Sequence, residues 1–245
     1  MFVSMVRTGL TVFALFALLQ PAFAGPPYLS DDPEPTDYGH YEIYTFSNGT
    51  RVRGGTDGEA GIDFNYGGAP NLQLTATLPI AFNAPVGGPT QFGPGNVELA
   101  AKYRFLHQSD FGWDVAVFPR LFLPSASGVG DPHASVLLPI WLQRDLGKDW
   151  TTFGGGGCQL FADSSQDSCM AGWVLTRKVT SNFQLGLEIF HQTPSAGTPA
   201  SSSLGLGAVY DIDNTFHLLG YIRTGLQNRD ETDQFGWYTA VLFTF

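Results

Sequence analysis

The chain has 245 residues, with 12 Lys+Arg against 22 Asp+Glu, 14% charged and 14% aromatic residues, and 30 glycines. Nucleic-acid affinity comes largely from Lys and Arg neutralising phosphates, so this acidic chain is expected to have no nucleic-acid partner. Many glycines and aromatics with few charges fit glycine-rich strands and amphipathic girdles better than a helical enzyme.

Residues 1–24 read as a secretory signal peptide. Arg7 supplies the positive n-region, Leu10 to Leu19 the apolar h-region, Pro21 a helix break, and Ala22-Phe23-Ala24 a small-x-small cleavage site. Cleavage after Ala24 leaves Gly25 as the amino terminus. No later stretch reaches the roughly eighteen consecutive apolar residues of a transmembrane helix. If the mature chain sits in a membrane it must therefore be a closed sheet, because every backbone N–H and C=O in lipid needs an internal partner.

Residues 25–39 contain Asp31-Asp32-Pro33-Glu34-Pro35, whose prolines and charges break regular structure. This segment is either a periplasmic lead-in that folds back into the barrel mouth as a plug or a solvated tail. From residue 40 onward, alternating segments recur with turn signals between them. The strands are expected at 40–48, 57–67, 71–82, 93–106, 112–124, 134–145, 149–159, 168–179, 182–193, 202–211, 214–225 and 234–245. Single-chain bacterial barrels have an even number of strands, and these make about 12.

Connections after even-numbered strands are short: Gly67 to Pro70, His107 to Phe111, Leu146 to Lys148, Val179 to Ser181, and Asp211 to Asp213. Those after odd-numbered strands are expected to be longer, as in Asn83 to Phe92, Ser125 to His133, Pro194 to Ser201 and Gln227 to Asp233. Outer-membrane barrels sort their loops in this way, with short turns in the periplasm, whereas a sandwich has no reason to. Tyr66, Tyr103, Phe105, Trp113, Phe183, Tyr210, Phe216 and Phe245 share the apolar phase beside the short turns or the carboxyl end. They predict an aromatic girdle at the periplasmic interface.

The opposite phase is polar. It carries Glu59, Asp63 and Asn65 on the second strand, and Asn96, Glu98, Lys102 and Arg104 on the fourth. A lipid-facing charge at mid-bilayer costs about 2–4 kcal/mol, so these residues are assigned to the lumen. A turn symmetric about Ser109 places Arg104 opposite Asp114 and Glu98 opposite Arg120. Their role is either structural pairing inside a narrow barrel or a constriction that filters solutes. Further lumenal candidates are Glu188, Gln192, His217, Tyr221 and Arg223. On strands six to eight, Leu137, Trp141 and Gly154 to Gly157 leave the orientation open.

In an exported chain, Cys158 and Cys169 read as a disulfide. Asp131 and His133 are two ligands and do not make a metal site. Asp57, Asp163, Asp167, Asp230, Glu231 and Asp233 are assigned to loops, which either bind divalent cations shared with surface lipopolysaccharide or, the favoured reading, are simply solvated. The run Gly154 to Gly157 lacks the lysine and the strand-to-helix setting of a phosphate loop.

The last strand runs from Gln234 to Phe245, with Phe245, Phe243, Val241, Thr239 and Trp237 in one phase. It resembles the terminal assembly signal of bacterial outer-membrane barrels, in which Phe243 and Phe245 would be read by the barrel-assembly machinery. Other segments carry a wider resemblance: Pro27 to Pro33, Phe64 to Gly67, Leu72 to Thr75, Lys102 to Phe105, Leu121 to Pro124, Gly172 to Leu175, and Phe190 to Pro194. These are similar to an outer-membrane β-barrel family named for the meta-cleavage pathway of phenol degradation, whose members are labelled as transporters. The likeness runs over essentially the whole mature chain. It implies a channel for small aromatic or other hydrophobic compounds and carries over no catalytic residues.

The expectation is an all-β, transmembrane, antiparallel up-and-down β-barrel at 40–245, in the bacterial outer membrane. It would contact lipid and lipopolysaccharide, pass a small-molecule solute, and use no cofactor or metal. The alternative is a sealed barrel with a structural or adhesive role. A third reading, an outer-membrane lipid hydrolase using His191 and Ser201 to Ser203, lacks an oxyanion arrangement and an orienting partner.

Overall fold

The computed structural model describes residues 27–245; the expected signal peptide and its cleavage point lie outside the described residues. Alternation with a period of two builds the wall. The strands are β1 (Tyr41–Val52), β2 (Gly55–Ala69), β3 (Leu72–Pro85), β4 (Gln91–Pro94), β5 (Glu98–Leu106), β6 (Asp114–Val117), β7 (Arg120–Phe122) and β8 (Ser135–Asp145). They continue with β9 (Trp150–Phe161), β10 (Ser168–Thr180), β11 (Phe183–Gln192), β12 (Ser201–Asp211), β13 (Phe216–Gln227) and β14 (Phe235–Thr244). β4 and β5 share one stave of the barrel, as do β6 and β7, so the wall is a closed antiparallel barrel of 12 strands.

The ring closes where β1 pairs on one side with β2 and on the other with β14, in the register Glu42 to Thr244 and Arg51 to Phe235. Closure removes the sheet edges that lipid cannot satisfy. Tight turns suit the short connections: Asn71 at φ 63° links β2 to β3, and Gly147 at φ 85° with Lys148 at φ 38° links β8 to β9.

Burial follows the phase. On β11, Glu188 is 0% and Phe190 7% exposed, whereas Leu187 is 56% and Ile189 64% exposed. The first pair faces the lumen and the second faces out. β8 has the same alternation, with Leu137 and Trp141 buried inside and Leu138 and Ile140 exposed outside. Strands six to eight gave no clear phase in sequence because this sector of the lumen is itself apolar, containing Trp141, Phe153 and Val174. A second apolar cluster of Tyr44, Phe46, Val209, Leu219, Ala240 and Leu242 fills the inner face of β1 and β12–β14.

Three expectations are corrected. The connection between the first two strands is only Arg53-Gly54, because β1 stays paired with β14 out to Arg51 and with β2 out to Val52, and the Trp237 ring packs over Gly49. The fourth and fifth strands each break in two, at Pro94 to Val97 and at Phe118-Pro119, where proline has no N–H to donate. The turn after β5 is not symmetric about Ser109. It contains a helical turn, α1 (Gln108–Phe111), and a bulge between Arg104 and Leu106. The register therefore sets Arg104 opposite Ala116, Ala100 opposite Arg120, and Glu98 opposite Phe122.

Aromatic side chains group at the short-turn end. Tyr41 stacks between Tyr66 at 4.7 Å and Phe245 at 5.4 Å, and Phe216 meets Phe243 at 5.0 Å. The opposite end has its own group, in which Phe82 contacts both Phe92 and Trp237.

Candidate functional site

Residues 27–37 run through the lumen as a strap, and the wall is shaped to receive it. A Cβ at Gly186 would lie 2.2 Å from the Tyr28 hydroxyl, one at Gly207 2.3 Å from the Tyr28 ring, and one at Gly172 2.1 Å from Ser30 Oγ. Glycine at these inward positions leaves a slot no other residue would leave. Tyr28 fills it edge-on against Phe153 and Tyr221, at 5.8 and 5.5 Å.

Polar contacts hold the strap along its length. Glu188, fully buried on β11, accepts the N–H of Leu29 at 3.2 Å and of Ser30 at 2.7 Å, and also the Tyr221 hydroxyl. Lys102 on β5 donates to Asp31 Oδ1 at 3.1 Å and lies 3.6 Å from Asp32. Gln143 on β8 donates to Glu34 Oε1 at 2.7 Å, and Gln73 on β3 accepts from Thr36 N at 2.9 Å. The strap leaves at the short-turn end, where Gly39 N donates to Gly67 O at 2.8 Å. A buried charge is tolerated when paired and hydrogen-bonded, a condition that Asp31 and Asp32 meet for Lys102, while three hydrogen-bond donors face Glu188.

Beside the strap runs a cavity of about 470 Å³. Asp63, Asn65, Glu98, Lys102, Arg104 and Arg120 line it together with strap carboxylates. Glu98 and Arg120 form a two-pronged ion pair, Nε to Oε1 2.6 Å and Nη2 to Oε2 2.7 Å. Arg104 Nη1 lies 3.9 Å from Asp114. Both contacts are diagonal across the corrected register, which keeps the same face because it shifts by two residues. Asn65 Oδ1 accepts from Gln73 Nε2 at 2.7 Å and from Thr75 Oγ1.

The remaining sequence-selected residues stand elsewhere. Glu59 lies on the inner face of β2 nearer the outer end. Gln192 donates to Ser168 Oγ at 3.3 Å. Arg223 pairs with Asp233 at 2.6 Å and donates to Thr50 Oγ1 at 2.6 Å, toward the outer mouth. His217 is held by Asp211 at 2.7 Å and Thr244 at 3.2 Å. At the short-turn mouth a second cavity of about 650 Å³ is lined by Asp145, Lys178, Gln184, Asp211 and His217 among others.

Sequence reasoning missed the strap's role as a set of ligands for the wall: Asp31, Asp32 and Glu34 were visible only as a charge cluster. Gln73 and Gln143 share the inward phase of their strands, a signal that was available. Cys158 and Cys169 are cross-strand partners on β9 and β10 and form the disulfide. His191 Nδ1 lies 2.9 Å from Ser202 Oγ on the exposed outer face, and Ser202 Oγ donates to Gln227 Oε1 at 3.1 Å. Gln227 therefore holds the serine rather than orienting the histidine. Among the described residues there is no group of three or more His, Cys, Asp or Glu able to hold a metal.

Residues 26–243 match the family model described as "Putative MetA-pathway of phenol degradation". Among solved structures, an outer membrane channel from Pseudomonas putida F1 is similar with a TM-score of 0.69 at 13% identity, over 87% of this chain and 98% of that one. The KdgM porin aligns with a TM-score of 0.59 at 11% identity, over 83% of this chain and 99% of that one. The NanC porin aligns with a TM-score of 0.58 at 10% identity, over 82% and 98%. At these identities the likeness establishes a common fold, that of outer-membrane barrels. Comparison with curated protein sequences found no match.

Proposed function

The chain belongs to this phenol-degradation-pathway family of outer-membrane barrels, and we propose that it is a passive channel for small aromatic or other hydrophobic molecules, with residues 27–37 as its internal plug. The observation that carries this reading is the strap, seated in a glycine slot and held by a few side-chain contacts rather than by strand pairing along its length. Twelve strands enclose a lumen wider than the eight-strand barrels that side chains fill and narrower than sixteen-strand porins. A segment of this kind closes such a lumen without being part of its wall. Likeness of shape to an outer membrane channel and two porins supports the transport class, and the family description supports aromatic solutes.

The cavity beside the strap sets a charge preference. Asp31, Asp32, Glu34, Asp37, Glu42, Asp63 and Glu98 outnumber Lys102, Arg104 and Arg120 along it. A passage with this excess of carboxylates admits neutral or cationic solutes more readily than anions.

The second reading is a sealed barrel with a structural or adhesive role. It is favoured by the apolar packing of Tyr44, Leu219 and Leu242 inside the wall. Liposome swelling separates the two. Proteoliposomes should swell with neutral phenols and more slowly with benzoates of similar size. Swelling with no solute tested, before or after removal of residues 25–39, would overturn the channel.

A further inference from the structure

Five cations of the lumen and the outer rim have a carboxylate. Lys102 has Asp31, Arg104 has Asp114, Arg120 has Glu98, Arg223 has Asp233, and Arg53 has Asp230. Arg144 and Arg177 are set apart by the ring beneath them. Among the described residues neither forms an ion pair with a carboxylate, and each guanidinium instead lies over a tryptophan: Arg144 at 5.7 Å from the Trp113 ring and Arg177 at 5.2 Å from the Trp150 ring.

Both arginines stand on the outer face of the barrel. Arg144 pairs with Thr152, which in turn pairs with exposed Leu175, while Arg177 pairs with exposed Trp150. Trp173 joins the patch, packing edge-on against Trp113 at 6.2 Å and donating its Nε1–H to Thr152 Oγ1 at 2.7 Å. Three of the chain's 5 tryptophans thus lie beside two arginines that lack an acidic partner. The patch is close to the rim: Arg144 is followed by Asp145, the last residue of β8, and Arg177 lies near the end of β10 at Thr180. The turn between β8 and β9 exposes both Lys148 and Asp149 and adds no net charge to the patch.

A guanidinium on the lipid face is inexpensive only near the interface, and there an anionic headgroup can serve as its counter-ion. A ring beneath one face holds the planar group in place and leaves its N–H fork free for an anion. The matching fork on a lipid is the phosphodiester, which accepts two N–H groups side by side. Tryptophans at the same level take the headgroup boundary as their environment.

We propose that the outer face of β8–β10 at the short-turn rim is a binding site for anionic glycerophospholipids of the periplasmic leaflet, with a headgroup phosphate on each of Arg144 and Arg177. The site requires that the barrel span the membrane and is independent of what passes through it. It would keep anionic lipid on one side of the barrel.

The full mature protein is placed in nanodiscs of phosphatidylcholine containing a minor share of brominated lipid, and its tryptophan fluorescence is read. Brominated phosphatidylglycerol should quench more than brominated phosphatidylcholine at equal mole fraction, reflecting an enrichment of about fivefold per arginine, which is the roughly 1 kcal/mol typical of a basic residue at an anionic surface. The preference should vanish in the Arg144→Gln/Arg177→Gln double variant and persist in Arg51→Gln/Arg53→Gln at the opposite rim. Equal quenching of the wild-type protein by the two lipids overturns the proposal, as does an undiminished preference in the double variant. Heat-modifiable gel migration reports independently whether the barrel is intact, and the wild-type comparison decides the matter even if the double variant does not refold.

Discussion

Glu188 on β11 accepts the backbone N–H groups of Leu29 and Ser30, at 3.2 and 2.7 Å, so one wall carboxylate ties down the amino-terminal end of the strap. Hydrogen bonds to a charged group contribute about 1.5–3 kcal/mol each. Glu188→Ala removes both and leaves the two amides without that acceptor. The population with the strap released should rise at least tenfold, read as a gain in open-channel current. The melting of the barrel itself should change little, because the strand pairing of the wall is untouched. A current unchanged from wild type would show that Glu188 does not hold the strap.

Space makes a matching prediction on the same wall. Gly186→Val puts a branched side chain where the Tyr28 hydroxyl lies, yet valine suits a strand. The variant should fold as a barrel and expel Tyr28, making the segment around residues 27–31 newly sensitive to added protease. An equally resistant strap in folded Gly186→Val barrels would refute the seating described for Tyr28.

Glu98 and Arg120 test the lumenal electrostatics. Breaking a fully buried pair by removing one partner costs about 3–5 kcal/mol, and because the Arg120 side chain is 29% exposed, a smaller cost of about 2 kcal/mol is expected for Glu98→Gln. The double variant Glu98→Gln/Arg120→Gln should recover much of that loss, since it leaves no unpaired charge. Unfolding midpoints in denaturant measure both, and strictly additive losses would deny the coupling.

Much of this was legible in the sequence. Strand count and the inward phase of Glu98, Lys102 and Glu188 follow from a period of two, because lipid on one side and polar groups on the other make alternation strict; loop parity, read from connection lengths, fails at Arg53-Gly54. Legibility fails where that contrast fails. Leu137 and Trp141 face an apolar part of the lumen, so hydropathy does not tell inside from outside there. The Arg104–Asp114 and Glu98–Arg120 pairs were expected as direct cross-strand neighbours and are diagonal, because the α1 turn and the bulge before Leu106 reset the register by two residues. The partners of Asp31 and Glu34 were hidden for a different reason: nothing local in a segment broken by proline says which distant strands it will touch.

The Cys158–Cys169 bond joins facing residues of β9 and β10 around the connection at 162–167. Closing a loop of this length contributes about 3 kcal/mol on the chain-entropy model. Reduction should lower the unfolding midpoint and raise protease sensitivity at 162–167 while leaving conductance unchanged, because both cysteines lie on the outward phase of their strands. A change in conductance on reduction would place this hairpin in the permeation path.

Single-channel recording in planar bilayers puts the whole account to the test. The mature protein should pass small, brief currents, and the form lacking residues 25–39 should pass larger and steadier ones. Identical conductance in the two forms, or none in either, would contradict a lumen governed by its own amino-terminal segment.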